Sequence, residues 1–286
     1  MSQMQAFYSQ VLGSRDGAPP AAPSDEPYRG RGRAALAGGE LVGLLTGNLL
    51  PDNSNPDARV LYLYGAVHPS WRRRGIGRRL LAGLLEEIRN DRPAVTSVVT
   101  LGQAHAEAAA AFLLQQGFSE APRLVRYERE LMPDCVPQDV SSLRTAVYRG
   151  GDTALEAAII DLYHRGYRGR RGIPQLTGES IRRQLEMPGF AYMLIFDGDR
   201  LVGHGACYAH DSGYYVDSTV IVRSHWGSGA SDALVRAYFR HALTQGCSRI
   251  SGAADASNRA SRALMERLGF RLTEQFRRFL RVLHYG

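Results

Sequence analysis

A mixed α/β fold, built twice over in one chain of 286 residues, is what three features of this sequence predict. Segments of strand character alternate with segments of helical character along its length. Short stretches recur in the same order in both halves. Between the halves, "LMPDCVPQDVSS" (131–142) carries two prolines and loses all periodicity.

The recurrences are specific. "GGELVG" (38–43) matches "GDRLVG" (198–203), each a turn into an apolar strand. "VHPSW" (67–71) matches "VRSHW" (222–226), which holds the second of only two tryptophans. "FLLQQGF" (112–118) matches "LMERLGF" (264–270), each a helix end closed by Gly. Offsets drifting from 160 to 155 to 152 fit two diverged copies, which divide the chain into 1–131, a linker at 132–141, and 142–286.

In the first copy strands are expected at 31–37, 41–50 and 59–67, followed by a helix at 77–90. "RVLYLYGAV" (59–67) is β-rich, whereas "GRRLLAGLLEEIR" (77–89) spaces its apolar residues as a helix does. A strand at 94–101, a helix at 104–116 and terminal strands to about 131 complete it. The second copy reads as strands near 142–148, 190–197, 201–210 and 213–222. A helix at 229–245, a strand at 248–254, a helix at 257–268 and strands to about 283 follow. It adds helices near 153–166 and 178–186. Residues 1–12 could supply one short helix to the first copy, ahead of the Pro-rich "GAPPAAPSDEP" (17–27).

Composition excludes several classes. An apolar fraction of 44% and 22% charged residues suit a globular chain. Every one of the 35 basic residues is Arg, for a net charge of +7. Guanidinium is thus the only strong cation, suited to bidentate phosphate contacts. Cys135, Cys207 and Cys247 are too few and scattered for a disulfide framework or zinc site, so no metal is expected and a reducing cytoplasm is. The N-terminal residues lack the pattern of a signal peptide, and no stretch is apolar enough for a membrane span.

"VHPSWRRRGIGRRLL" (67–81) concentrates charge where a helix begins. A helix N-terminus offers backbone N–H groups without intrahelical partners and a partial positive charge. Gly75 and Gly77 have no Cβ to hold off a bulky anion, and Arg72, Arg73, Arg74 and Arg78 add charge. The stretch reads as a pyrophosphate cradle, against the plain alternative of solvated arginines in a surface loop. It is neither a Walker loop nor a Rossmann fingerprint.

V-x-P-x-x-R-x-x-G-x-G ahead of a helix, with a later helix ending in Gly-Phe, resembles the acyl-CoA signature of the GNAT acyltransferases. The tandem layout is similar to mycothiol synthase and other two-domain members. This resemblance implies mostly antiparallel central sheets flanked by helices, the first copy lacking the usual N-terminal strand and helices. It implies an acyl-CoA co-substrate, acetyl-CoA being the common donor, and transfer to an amine. The loop Arg72, Arg73, Arg74, Gly75, Ile76, Gly77 and Arg78 would hold the CoA pyrophosphate. Gly65, Ala66 and Val67 would pair with the pantetheine arm.

Aligned on the shared Val and Trp, the second copy lacks a residue at the place of Arg72. Ser231 stands for Gly77 and Asp232 for Arg78. A carboxylate there repels a diphosphate, so the donor is expected in the first copy. Family members often use a Tyr four residues before the closing Gly as acid; here Leu113 and Met265 stand there, and neither donates a proton. Candidate catalytic groups are Tyr64 in the first copy, with Tyr62 beside it and His68 just beyond, and Asp217 in the second, near Tyr214 and Tyr215. For the tyrosines, strand packing is the rival explanation, and for Asp217 a structural hydrogen bond. His204 and His210 share a strand without a third ligand. Asn258 lies where the family often has an Asn near pantetheine, but reads first as a helix cap.

The expected partners are thus an acyl-CoA and an unidentified amine, with no membrane and a monomer or homodimer. Two rival classes remain: a non-catalytic CoA-binding regulator, and a nucleic-acid binder through the Arg-Gly segments 28–33 and 165–172. Both segments are short, and solvated loops or a grip on an acidic acceptor explain them as well.

Overall fold

Two strands and a hairpin turn into a helix are enough to set up each half, and the computed structural model shows both halves doing so. It describes residues 31–53, 55–91, 94–133, 136, 142–170, 173–210 and 213–283. The short helix expected in 1–12, the Pro-rich 17–27, most of the linker, Cys135 and the Arg-Gly residues 28–30 and 171–172 lie outside them.

In the first copy β1 (Arg31–Ala37), β2 (Glu40–Asp52) and β3 (Asn55–Val67) form an antiparallel meander. A 3-10 turn, Pro69–Trp71, leads to α1 (Ile76–Asp91). Then come β4 (Val95–Gln103), parallel to β3, α2 (Glu107–Gln115) and β5 (Ser119–Glu130). The second copy repeats the scheme with β6 (Arg144–Tyr148), α3 (Thr153–Gly166), α4 (Gly178–Leu185), β7 (Ala191–Asp197), β8 (Arg200–His210) and β9 (Gly213–Ile221). It continues through α5 (Ala230–Thr244), β10 (Arg249–Asp255), α6 (Arg259–Arg267) and β11 (Arg271–Val282). Every strand and helix expected within the described residues is present. β3 starts four residues earlier than its β-rich run, because Asp52 pairs with Asn55 across a tight turn.

The described residues divide into two compact units that do not coincide with the two repeats. The first unit takes residues up to Ala121, together with Ile173–Pro174 and the chain from Arg277 onward. Its sheet runs β1-β2-β3-β4 and ends on the last part of β11. The second unit takes β5 from Pro122 onward, where Glu130 to Leu124 pair antiparallel with Arg249 to Asp255 of β10. Each repeat therefore gives its terminal strand to the other unit's sheet. Phe279 of β11 is accordingly buried with Leu61, Leu63, Leu84, Ile88 and Val98 in the core beneath α1. Repeat periodicity carries no information on which neighbouring strand edge a terminal strand will choose.

Helix ends follow local chemistry. Asp152 caps α3 by accepting from the Leu155 N–H at 2.9 Å, and Thr177 with Ser180 forms a capping box on α4. Both α2 and α6 close on a left-handed Gly, Gly117 at φ 80° and Gly269 at φ 75°. The next N–H, of Phe118 or Phe270, turns back onto Leu113 or Met265. The positions where the family often has an acidic Tyr thus serve as carbonyl acceptors, and their side chains pack toward the cores.

The second unit has a core on each face of its sheet. On one face Tyr214 and Val216 pack with Leu234, Tyr238 and Phe239 of α5; on the other Tyr192 and Leu194 pack with Ile159 of α3 and Ile181 of α4. Gly205 lets α5 approach β8, since a Cβ there would run into the Tyr238 hydroxyl and come within 2.7 Å of the Ser218 carbonyl oxygen. That hydroxyl is engaged with Thr219 at 3.0 Å in a fully packed layer. Gly205→Ala is expected to cost about 3 kcal/mol of stability by overpacking. Urea unfolding checks it; a loss under about 1 kcal/mol would show that the helix shifts freely.

Candidate active site

In the first unit β3 and β4 pair in parallel from Arg59↔Val95 to Leu63↔Thr100 and then part. Beyond that point Tyr64, Gly65, Ala66 and Val67 keep their β2 partners but have none on β4. Backbone polar groups on that edge are left for something else to satisfy. Gly65 is exposed there, and Ala66 and Val67 are partly so.

The chain then enters the Arg-rich loop. The Arg72 Nε donates to the Val67 carbonyl at 3.1 Å, tying the loop to the strand end. Arg73 and Gly75 both adopt left-handed backbone, at φ 64° and 75°. This is ordinary for Gly and strained for Arg, by roughly 1 kcal/mol. The kink turns the chain straight into α1. Its first helical bond is Arg79 N–H to the Gly75 carbonyl at 3.1 Å, so the N–H groups of Ile76, Gly77 and Arg78 stay outside the helical ladder. A Cβ on Gly75 would meet only the Arg79 side-chain tip, whereas one on Gly77 would rest on Phe112 and Val67 in ordinary contact. Gly75 therefore leaves the loop backbone uncovered, whereas Gly77 sits where α1 packs on Phe112 of α2. Ile76 is buried against Gly43. Arg72, Arg73, Arg74, Arg78 and Arg79 are exposed, and among the described residues none of them forms an ion pair. Arg74 lies 4.7 Å over the Trp71 ring.

The second loop has the same backbone, residue for residue at one constant offset. Gly227 and Gly229 are left-handed at φ 80° and 85°, where Arg73 and Gly75 are. The Val222 N–H bonds back to Val202 as His68 does to Val42, and Ala233 opens α5 on Gly229 as Arg79 opens α1 on Gly75. The expected missing residue opposite Arg72 is corrected by this geometry. Trp226 stands there, and its indole N–H reaches the Ile221 carbonyl at 3.1 Å just as Arg72 reaches Val67. Matching the two tryptophans misplaced the pair by one residue. Trp226 is 68% exposed, and Asp232 is held by Arg267 at 2.6 Å, so its charge is compensated. His225 pairs with Asp197 at 3.1 Å.

Tyr64 and Asp217 belong to different units and are not counterparts. Tyr64 sits in regular pairing opposite Thr46. Asp217 is the extra residue of a β-bulge, with Ser218 opposite Ala206 and Val216 opposite Cys207. Parallel pairing of β9 with β10 also ends at Val216↔Gly252, so Asp217 stands where the two strands part. It is open to solvent at the cleft mouth yet walled by protein, and that loss of hydration pushes its carboxyl above the usual carboxylate range. Burial, then the Asp217 charge, pushes the Tyr167 and Tyr208 phenols up to about 12 and raises Tyr215 as well.

Asn258 caps α6, accepting from the Ser261 N–H at 3.2 Å. His204 is wholly buried, and among the described residues neither ring nitrogen has a partner. Tyr214 links Cys207 and His241, each at 2.8 Å, in a buried chain that Arg149 ends. Tyr62 and Tyr64 alternate with the buried Leu61 and Leu63, so they face away from α1. His68 precedes the 3-10 turn. The side chain of His210 lies outside the described residues. Arg-Gly residues 165–170 form the end of α3 and the turn after it, with Arg170 6.0 Å over Tyr167, and Arg31–Arg33 open β1. No group of three His, Cys, Asp or Glu among the described residues is arranged to hold a metal, and no described helix is long and apolar enough to cross a membrane.

Comparison with known proteins agrees with this architecture. No curated protein matches the chain in sequence. Among solved structures, a GCN5-related N-acetyltransferase from Sphaerobacter thermophilus is similar with a TM-score of 0.66 at 18% identity, over 87% of this chain and 79% of that one. A tandem GNAT protein from the clavulanic acid biosynthesis pathway aligns with a TM-score of 0.65 at 20% identity, over 89% and 83%. The glucosamine N-acetyltransferase region of a fungal GH3 β-N-acetylglucosaminidase gives 0.70 at 12%, over 97% of this chain and 36% of that one. The family model described as "Acetyltransferase (GNAT) family" matches residues 7–118 and again 156–270. The chain belongs to the GNAT acetyltransferase family and carries its domain twice.

Proposed function

We propose that this protein transfers an acyl group, acetyl in the first instance, from acyl-CoA to an amine, with the donor held by the first unit. One observation carries the assignment: arginines with no ion pair among the described residues, and helix N–H groups outside the helical ladder, converge at Gly75, directly after a strand edge with no β4 partner. A diphosphate matches the loop in charge and hydrogen-bonding need. The pantetheine amides match the open edge at Gly65, Ala66 and Val67. The thioester then lies along β3, near Tyr64.

In direct transfer the amine nitrogen attacks the thioester carbon, the C–N bond forms, and the C–S bond breaks with the pair leaving on sulfur. A lysine-like amine costs about 4–5 kcal/mol to deprotonate at pH 7, so a base or water chain must take its proton. Tyr64 and His68 flank the open edge Gly65–Val67 in sequence; Tyr64 lies on the strand itself, and its hydroxyl would relay that proton to water. The thiolate, of pKa about 8.5, collects its proton from water, since Leu113 offers none.

A second reading, a CoA-binding protein without turnover, draws on the apolar packing of Leu113 and Met265. Calorimetry with acetyl-CoA and release of free CoA thiol in the presence of an amine panel separate the two. One molecule bound per chain with thiol release is expected. One bound without release would favour the non-catalytic reading. Two bound would return the second loop, whose backbone is preserved, to donor duty; none bound would remove the acyl-CoA assignment.

A further inference from the structure

The second unit carries a carboxylate that has no counter-charge among the described residues and stands on a strand lined with aromatic side chains. Asp217 projects from the bulge of β9, and among the described residues its carboxylate accepts no hydrogen bond and forms no ion pair. Tyr215, two residues earlier, is paired in register with Tyr208 of β8, and their rings are 5.4 Å apart. Tyr208 in turn stacks on Phe190 at 6.0 Å and 7°.

The third wall comes from α3. Gly166 at its end lies so close to Val220 of β9 that a Cβ would collide with that side chain. The last turn of α3, with Tyr163 and Tyr167 rings 4.6 Å apart, is thereby laid against the strand beyond the bulge. Tyr167, Tyr208 and Tyr215 remain partly exposed, and Tyr192 and His204 close the layer behind them. Burial first, and the Asp217 charge second, raise the phenol pKa of Tyr167, Tyr192, Tyr208 and Tyr215.

Two cations are nearby, and both are occupied. Arg126 is paired with Glu274 at 2.8 Å, and Arg170 lies over the Tyr167 ring. The chain carries a net charge of +7, yet among the described residues no arginine is paired with Asp217. A carboxylate without a described counter-charge, on a strand lined by tyrosine rings, is the complement of a cation that is charged on the inside and apolar on the outside.

We infer that this cleft of the second unit binds an organic ammonium ion, with Asp217 facing the charge and Tyr167, Tyr208 and Tyr215 covering its carbon substituents. The site needs neither CoA nor the first loop, so it stands or falls independently of the acyltransferase reading. The first unit has no counterpart among its described residues, because β3 lacks the bulge and Tyr64 stands at the register position of Ser218.

The test uses the full chain without CoA and three probes: benzylammonium, tetramethylammonium and the neutral benzyl alcohol. Calorimetry is combined with ring chemical shifts of Tyr208 and Tyr215. The ammonium probes are expected to bind, benzyl alcohol at least 10-fold more weakly. Asp217→Asn is expected to weaken the ammonium probes 10- to 100-fold without changing thermal stability, and Asp217→Glu to restore part of the loss. Equal binding of benzyl alcohol and benzylammonium, unchanged binding by Asp217→Asn, or no binding of either cation would each overturn the inference. Should Asp217→Asn unfold the chain, Tyr208→Leu decides it. That variant is expected to weaken tetramethylammonium at least 5-fold, and unchanged affinity would overturn the site.

Discussion

Arg74→Glu combined with Arg78→Glu is expected to weaken acetyl-CoA binding by roughly 100-fold, measured by calorimetry on the intact chain. Both guanidinium groups are exposed at the mouth of the first loop, and among the described residues neither has an acidic partner. Each charge-assisted contact to a diphosphate is worth about 1.5 kcal/mol at such an exposed site, and replacing cation by anion adds repulsion. The loss should shrink as salt rises, because screening weakens attraction in the parent and repulsion in the variant. Arg74→Gln with Arg78→Gln should give an intermediate loss. Trp226→Ala, in the second loop, should leave donor affinity unchanged. An unaltered affinity in the double reversal would take the first loop out of donor binding.

The second large effect concerns His204. Its imidazole is completely buried, and desolvation lowers its pKa from the ordinary 6.5 to about 3. The unfolded chain therefore takes up this proton first as pH falls, and stability drains away on the acid side. Above about pH 7.5 the contribution is flat. Between pH 7 and pH 5 the group removes about 2 kcal/mol of stability, with a limiting slope of about 1.4 kcal/mol per unit down to pH 3. Urea unfolding at a series of pH values, followed in parent and His204→Leu, reads this directly. The variant should be as stable as the parent at pH 7 or more so, since two buried nitrogens without described partners disappear. Its acid slope should be shallower; an identical slope would mean that His204 is not neutral and buried as described.

Both effects arise from places where local sequence and tertiary setting part company. Arg74 and Arg78 are visible in the sequence as charge at a helix start, and the structure leaves them as solvent-facing as their chemistry demands. His204 reads as one polar residue in an apolar strand; only the packing of Tyr163 and Tyr192 against it removes all solvent. The same distinction separates the two loops. "WRRRGIGR" and "WGSGASD" differ in nearly every side chain, yet the left-handed pair at Arg73 and Gly75 recurs at Gly227 and Gly229. Backbone conformation was conserved by hydrogen bonds to strand ends, which no comparison of side chains displays.

What the sequence determined by itself was the order of elements, the duplication and the Arg-rich loop at the start of α1. Period, turn residues and helix-start chemistry act over a few residues, and these features are legible at that range. The tertiary structure alone decided three things. β5 and β11 pair outside their own repeats, because an open strand edge is filled by whichever segment matches its register. Trp226 replaces Arg72, because its indole N–H meets the same strand-end carbonyl. Asp217 leaves the alternation of β9, because β8 pairs Ser218 and Val216 with adjacent residues and leaves Asp217 without a partner. A bulge is a property of two strands, and one strand read alone cannot reveal it.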